Sequence, residues 1–197
     1  MPLALAYLLG SIGFGVIVPR LRGIDIYRVG SGNPGVSNVY RSLGKGPAAL
    51  VLVGDAGKGA AAAAIGALWA GAATSTATGE TLSVACAFFA VAGHILPIWH
   101  RFRGGRGVAT ALGGLLYLAW LPGLVLALGW LAVTLFFKVA SIASLAAMAL
   151  YLPALALGGA RGWSLAWGAG IVVLVVVRHL PNIRRLFAGS ERKVVEA

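Results

Sequence analysis

From Val108 to Phe137 the chain runs through about thirty residues without one Asp, Glu, Lys or Arg. A single straight helix of that length would measure about 45 Å, against a hydrocarbon core near 30 Å. Similar apolar runs recur along the sequence, and they narrow the possible folds sharply. A segment crossing lipid must satisfy its own backbone polar groups, which an α-helix does internally. Only 11% of the 197 residues are charged and 59% are hydrophobic, with mean hydropathy +0.90. Soluble domains carry roughly 25% charged residues. The expectation is an all-α integral membrane protein, one membrane domain over residues 1–197. The single cysteine, Cys86, lies in an apolar run, which excludes a disulfide framework and a cysteine metal site. No metal and no cofactor is expected.

A net charge of +11 and a pI near 10.9 could point to nucleic acid. The basic residues are instead dispersed over short connections between apolar spans, which fits membrane topology and anionic substrates. The first span, Pro2–Pro19, has no basic residue before it and is followed by Arg20 and Arg22, unlike a secretory signal. It is expected to be an uncleaved helix with its N-terminus outside. A basic loop over about residues 20–46 comes next, then a span from about Pro47 to Ala72 and an external connection from Gly71 to Glu80 without Lys or Arg. The third span, Thr81–Trp99, leads into a second basic loop at 100–110. The long apolar run is expected to break at Leu121-Pro122-Gly123 into Val108–Trp120 and Pro122–Phe137. Val139–Leu157 and Trp163–Val177 complete about seven transmembrane helices and leave the tail, 178–197, cytoplasmic. Seven spans put fourteen of the sixteen Lys and Arg on the cytoplasmic side, whereas six would strand the basic tail outside.

Three polar clusters fall on that one side. Gly30-Ser31-Gly32-Asn33-Pro34-Gly35-Val36-Ser37-Asn38-Val39-Tyr40-Arg41 combines glycines, hydroxyls and amides with a closing arginine. Successive N–H groups in such a stretch form an anion nest, which a guanidinium fork completes. A plain turn between helices has the same composition. The second cluster, His100 to Thr110, interleaves Arg101, Arg103 and Arg106 with Gly104, Gly105 and Gly107, and would serve equally as a positive-inside anchor. The third is Arg178-His179-Leu180-Pro181-Asn182-Ile183, where His179 is open to three roles: general base, phosphate donor or interfacial residue. Asp55 and Lys58 stand at i, i+3 within a span, either paired in a protein interior or lying near the interface with Lys58 snorkelling. His94 is expected to be a helix-packing residue, and His100 a surface or phosphate-proximal one.

The patterns Gly-Ser-Gly-Asn-x-Gly-x-Ser/Thr-Asn-x-x-Arg, Gly-His…Phe-x-Gly-Gly-basic-Gly-Val-Ala-Thr and His-x-x-Asn-Ile stand here as Gly30–Arg41, Gly93-His94 with Phe102–Thr110, and His179–Ile183. Together they resemble the bacterial membrane acyl-phosphate:glycerol-3-phosphate acyltransferases, the PlsY family. Leu52–Gly59 fits the second helix of that family, and the resemblance covers essentially the whole chain. It implies transfer of a fatty acyl group from acyl phosphate to the 1-hydroxyl of sn-glycerol 3-phosphate, without coenzyme A or acyl carrier protein. The implied catalytic residues are Ser31, His179 and Asn182. Glycerol 3-phosphate would be held by Ser31, Arg41, Arg103, Arg106, His179 and Asn182. Acyl phosphate would be held by Gly30, Gly32, Asn33, Gly35, Ser37, Asn38, Gly104 and Gly105. The implied partners are these two substrates and membrane lipid, with no nucleic acid and no obligate protein partner, in the bacterial cytoplasmic (inner) membrane.

No histidine is followed five residues later by aspartate, so the His-x4-Asp motif of coenzyme A-type glycerolipid acyltransferases is absent. The resemblance points to direct attack, the substrate's own phosphate taking the proton while His179 positions; a His179 general base is the competing mechanism. Arg103 and Arg106 stand where the family commonly has lysines, Leu180-Pro181 replaces a polar pair, and Ser37 replaces a threonine. A transporter or scramblase for an anionic phosphate compound is the alternative from another class. The one-sidedness of the clusters and the lack of a repeated half stand against it.

Overall fold

The computed structural model describes residues 1–71 and 76–194, and every regular element among them is helical. The first apolar run is not one helix. α1 (Pro2–Gly10) stops at Ser11 and α2 (Phe14–Arg20) restarts after Gly13. The interruption falls where α1 meets α5 (Thr76–Ile95) backbone to backbone. A Cβ on Gly10 would lie 2.2 Å from Ala90 O, and one on Gly93 2.2 Å from Tyr7 O. Hydropathy carries no signal for such an approach.

The first polar cluster is only half a loop. Asp25 caps a 3-10 turn over Ile26–Arg28, accepting the Tyr27 N–H at 3.1 Å. The glycines follow, and from Val36 the chain is helical as α3 (Val36–Leu43), so Ser37, Asn38 and Arg41 are helix residues. Gly30 and Gly32 hold φ of +59° and +68°, a region that glycine enters without steric cost.

α4 (Lys45–Ala70) is the central strut and packs against α5 and α6 (Val108–Leu118). Of the expected external connection, residues 72–75 lie outside the described residues; Thr76–Glu80 already belong to α5, which starts before the expected Thr81. The long apolar run breaks at Ala119 (φ −148°, ψ 77°), not at Leu121-Pro122-Gly123. Pro122 instead sits in the first turn of α7 (Trp120–Phe137), where its missing N–H has no helical acceptor to lose. α8 (Ala140–Leu157) and α9 (Trp163–Phe187) complete the bundle. α9 passes through Pro181 and extends well beyond Val177, so His179 and Asn182 are helical and nearly fully buried.

Among the described residues, six helical segments are long and apolar enough to cross a membrane: Pro2–Arg20, Lys45–Ala70, Ala77–His100, Trp120–Phe137, Ala140–Leu157 and Trp163–Phe187. α6, the expected Val108–Trp120 span, has 11 residues, about 16 Å, which is half the hydrocarbon thickness. Thr110 to Leu115 are buried in succession, so this short helix is sheathed by protein around its circumference and need not match the lipid. It lies against α4 through glycines: a Cβ on Gly59 would meet Thr110 O at 2.0 Å, and one on Gly113 would meet Ala56 O at 1.9 Å.

Those contacts generate a test. Gly113→Ala forces the α4–α6 backbones apart and is expected to cost about 1–3 kcal/mol, seen as a lower melting temperature in detergent. Gly129→Ala, whose added methyl meets nothing within 4 Å, is expected to leave it unchanged or slightly raised.

Candidate active site

The N-terminal end of α3, the second basic loop and the last turns of α9 converge on one cavity of about 90 Å³. Ser31, Asn33, Gly35, Ser37, Asn38, Arg41, Arg106 and His179 line it. Residues that the sequence separates by some 150 positions thus share one wall. The Asn38 N–H turns back to Gly35 O at 3.0 Å, while the Val36 and Ser37 N–H groups at the helix start have no intrahelical acceptor, and the helix dipole adds positive potential there. Such an arrangement can hold an anion with backbone as well as side chains.

Asn38 shapes that nest. Its Oδ1 accepts the Ser31 N–H at 2.8 Å and its Nδ2 donates to Val29 O at 3.1 Å, so both ends of the amide are engaged within the loop. A Cβ on Gly30 would fall 2.2 Å from Asn38 Oδ1. Asn38 therefore sets the curvature of the loop that presents Ser31.

The two loop-two arginines expected at the phosphate, Arg103 and Arg106, part company. Arg106 faces the cavity beside Arg41, Ser31 and Ser37. Burial pushes its guanidinium down to about 10, with Arg185, Arg41 and Arg178 adding to the shift against Glu191, so it stays charged at neutral pH. Arg103 lies outside that cavity. Its guanidinium carbon sits 4.9 Å from the Tyr27 ring centroid, and the Tyr27 hydroxyl donates to Arg103 O at 2.6 Å. It borders an outer vestibule of about 310 Å³ shared with Ser31, Gly32, Asn33, Gly104 and Arg178. Gly104 and Gly105 are held from one side by Arg178, which donates to both carbonyls at 3.1 and 3.3 Å.

His179 Nδ1 is 2.7 Å from Val175 O. A carbonyl only accepts, so Nδ1 carries the proton and the neutral ring keeps a bare Nε2. Asn182 donates through Nδ2 to Glu191 Oε1, while its buried Oδ1 has no partner among the described residues. Glu191 also accepts from Ser141 Oγ at 3.0 Å and from Arg185 Nε at 2.7 Å. Burial works against the Glu191 carboxylate, yet the bonds from Asn182, Arg185 and Ser141 prevail and hold it below the usual glutamate range. Beyond it the tail straps the site: Arg192 donates to Gly30 O at 2.5 Å and Arg41 to Lys193 O at 3.1 Å.

Beside the polar cavity runs an apolar groove of about 340 Å³ lined by Tyr40, Ala48, Ala49, Leu52, Trp130, Leu131, Thr134 and Leu135. Val36, Ser37, Leu52 and Trp130 border both spaces. Leu131 and Leu135 are exposed on the outer surface of the bundle, so the groove opens sideways. The Trp130 indole is fixed by a 3.0 Å bond to Ser144 Oγ.

Residues 1–189 match the family model for glycerol-3-phosphate acyltransferase. The chain belongs to the glycerol-3-phosphate acyltransferase family. A relative of that name from Cereibacter sphaeroides (strain ATCC 17025 / ATH 2.4.3) is 43% identical over 96% of this chain and 87% of its own length. Another from Brucella canis is 41% identical over 98% of this chain and 91% of its own. The crystal structure of PlsY (YgiH), an integral membrane glycerol 3-phosphate acyltransferase, in its glycerol 3-phosphate form superposes with a TM-score of 0.86 at 34% identity, covering 98% of this chain and 93% of that one. Its lysophosphatidic acid form gives 0.84. This chain is a PlsY-type glycerol-3-phosphate acyltransferase and an integral membrane protein of several apolar helices.

Sequence reasoning on this acyltransferase missed Ser141 and Glu191, and placed Arg178 in the third cluster without its grip on Gly104 and Gly105. One signal was present: Glu191 is a carboxylate closely followed by Arg192 and Lys193, nine residues after Asn182. Glu191→Gln tests its part. Because its folded carboxyl lies below the unfolded value, the stabilisation is present above about pH 4.3 and lost as pH falls through the folded value. The variant is expected to lose about 1.5–3 kcal/mol at pH 7. The melting-temperature gap to the unaltered protein should hold from pH 7 down to about pH 4.3 and shrink below it.

Proposed function

We propose that the chain transfers a fatty acyl group from acyl phosphate to the 1-hydroxyl of sn-glycerol 3-phosphate. The products are 1-acylglycerol 3-phosphate (lysophosphatidic acid) and inorganic phosphate, the first step of bacterial phospholipid synthesis. The observation that carries this reading is the adjoining of a cationic, N–H-rich cavity and an apolar groove across Ser37, Leu52 and Trp130. Each substrate bears a phosphate, the two summing to about four negative charges near neutral pH. The acyl chain lies in the groove, and the phosphates lie against Arg41, Arg106 and the backbone nest.

In the reaction the glycerol 1-hydroxyl oxygen attacks the acyl carbonyl carbon. N–H groups at the head of α3 stabilise the oxyanion that forms. The C–O bond to phosphate then breaks, the electron pair leaves with the phosphate, and a phosphate oxygen takes the hydroxyl proton. No acyl-enzyme is required, since acyl phosphate is already activated. Ser31, Arg41 and Arg106 hold glycerol 3-phosphate, His179 Nε2 accepts from a glycerol hydroxyl, and Asn182 Oδ1 accepts from another. Gly30, Gly32, Asn33, Gly35, Ser37, Gly104 and Gly105 cradle acyl phosphate, with Asn38 setting the loop. Arg103 draws anions into the vestibule.

The charge distribution supports seven passes with the N-terminus outside. The short α6 counts as one pass, and loops 20–46 and 100–110 and tail 178–197 face the cytoplasm. The proposed location is the bacterial cytoplasmic (inner) membrane.

In detergent, phosphate release from palmitoyl phosphate is expected to depend on glycerol 3-phosphate; no release from well-folded protein would sink the reaction. Arg41→Ala is expected to lower kcat/KM for glycerol 3-phosphate about 10²-fold. His179→Gln separates the two roles of the imidazole: near-normal kcat with raised KM fits positioning, and collapse of kcat with intact binding fits a general base.

A further inference from the structure

Three ionisable side chains meet at the wall of the cavity, which Asp55 and His94 line, and the proposed reaction uses none of them. Asp55, Lys58 and His94 are 1%, 3% and 8% exposed. Lys58 Nζ is 2.8 Å and His94 Nδ1 is 3.4 Å from the same oxygen, Asp55 Oδ1. Lys58 does not snorkel to water. Its ammonium donates to Ile12 O at 2.7 Å, the carbonyl left at the interruption between α1 and α2.

Each arm of this cluster reaches a phosphate loop. On the Lys58 side, α2 begins just after Ile12, and its Gly15 lies against loop one so closely that a Cβ would sit 2.1 Å from Pro34 O. On the other side, His94 O accepts the Gly105 N–H at 3.2 Å. A Cβ on Gly105 would lie 2.3 Å from His94 Nε2, and one on Gly104 would lie 2.0 Å from His94 O. Arg178 grips the same two glycines from the far side. A buried ion pair adds little net stability and is often replaceable by apolar residues. Its placement at a junction of three segments calls for a different account.

We propose that Asp55 is a positioning residue: through Lys58 and His94 it holds the Asn33–Gly35 and Gly104–Gly105 segments at a fixed separation, so that acyl phosphate is gripped from both sides. The inference rests on the reading of those segments as the acyl-phosphate cradle. Asp55 touches no substrate in this scheme. It sets the span between two sets of backbone donors, and misplacement of a reacting group by about 1 Å costs about 10²-fold in rate.

The test is the doubly neutral variant Asp55→Asn/Lys58→Met, which removes both buried charges and leaves neither unpaired. It is expected to keep its melting temperature in detergent yet lose about 10²-fold in kcat/KM for palmitoyl phosphate. The KM for glycerol 3-phosphate should move less than about threefold. Hydrogen exchange at Gly104–Gly107 should quicken while α8 keeps its protection. Wild-type kinetics and exchange in this variant would reduce the cluster to mutual charge neutralisation and overturn the proposal. If the double variant does not fold, His94→Leu and His94→Asn decide instead. The leucine should reproduce the palmitoyl phosphate defect, and asparagine, with an amide nitrogen placed like Nδ1, should recover most of it; equal behaviour of the two overturns the proposal. If unaltered protein releases no phosphate from palmitoyl phosphate, the proposed reaction fails, and the exchange measurement still decides the positioning.

Discussion

Helix backbones in this molecule touch one another directly, and the rest of the structure depends on that. In lipid, apolar side chains gain little by leaving their surroundings for each other, so association relies on close van der Waals packing and internal hydrogen bonds. Gly10 and Gly93 bring α1 onto α5, Gly66 brings α4 onto Ser83 of α5, and Gly59 and Gly113 lock α4 to α6. The contacts at Gly59 and Gly113 lie within a turn or so of Asp55, and those of α5 lead down to His94. The scaffold that carries the polar site is therefore stiff where the charges are buried.

Charge organises what the glycines hold rigid. Arg41, Arg106 and Arg185 crowd one cavity around a single carboxylate, Glu191. Burial and mutual repulsion make that crowding costly in an empty site, and Glu191 relieves part of it through Arg185 while fastening Asn182. In the proposed reaction a phosphate dianion relieves the remainder. In the proposed site the same reasoning makes Arg103, exposed and stacked on Tyr27, a poorer ligand than Arg106 despite its place in the motif.

Much of this was legible in the chain. The scarcity of charge dictated a membrane bundle, and the three polar clusters named Ser31, Arg41, Arg106 and His179, which do share a cavity. What escaped has physical reasons. Hydropathy does not register backbone-to-backbone contact, so the breaks at Ser11–Gly13 and Ala119 were invisible, and Pro122 drew attention away from the true one. Glycine content suggested loop throughout Gly30–Arg41, although the glycines stop at Gly35 and the remainder can cap and form α3. Basic residues near span ends served as topology markers, which hid the grip of Arg178 on Gly104 and Gly105. The Asp55–Lys58 spacing was visible, but only the fold joins it to His94 and to Ile12.

The groove beside Trp130 opens through Leu131 and Leu135 onto the flank of the bundle, whereas the vestibule at Arg103 is bounded by polar loops. In the proposed orientation the two mouths face different solvents. In the proposed reaction each molecule therefore travels through the phase in which it dissolves, and substrates never queue for a common doorway. The single-chain lipid product can slide laterally into the leaflet, and the freed phosphate departs into water. Partition between the two phases then separates the products without any moving gate.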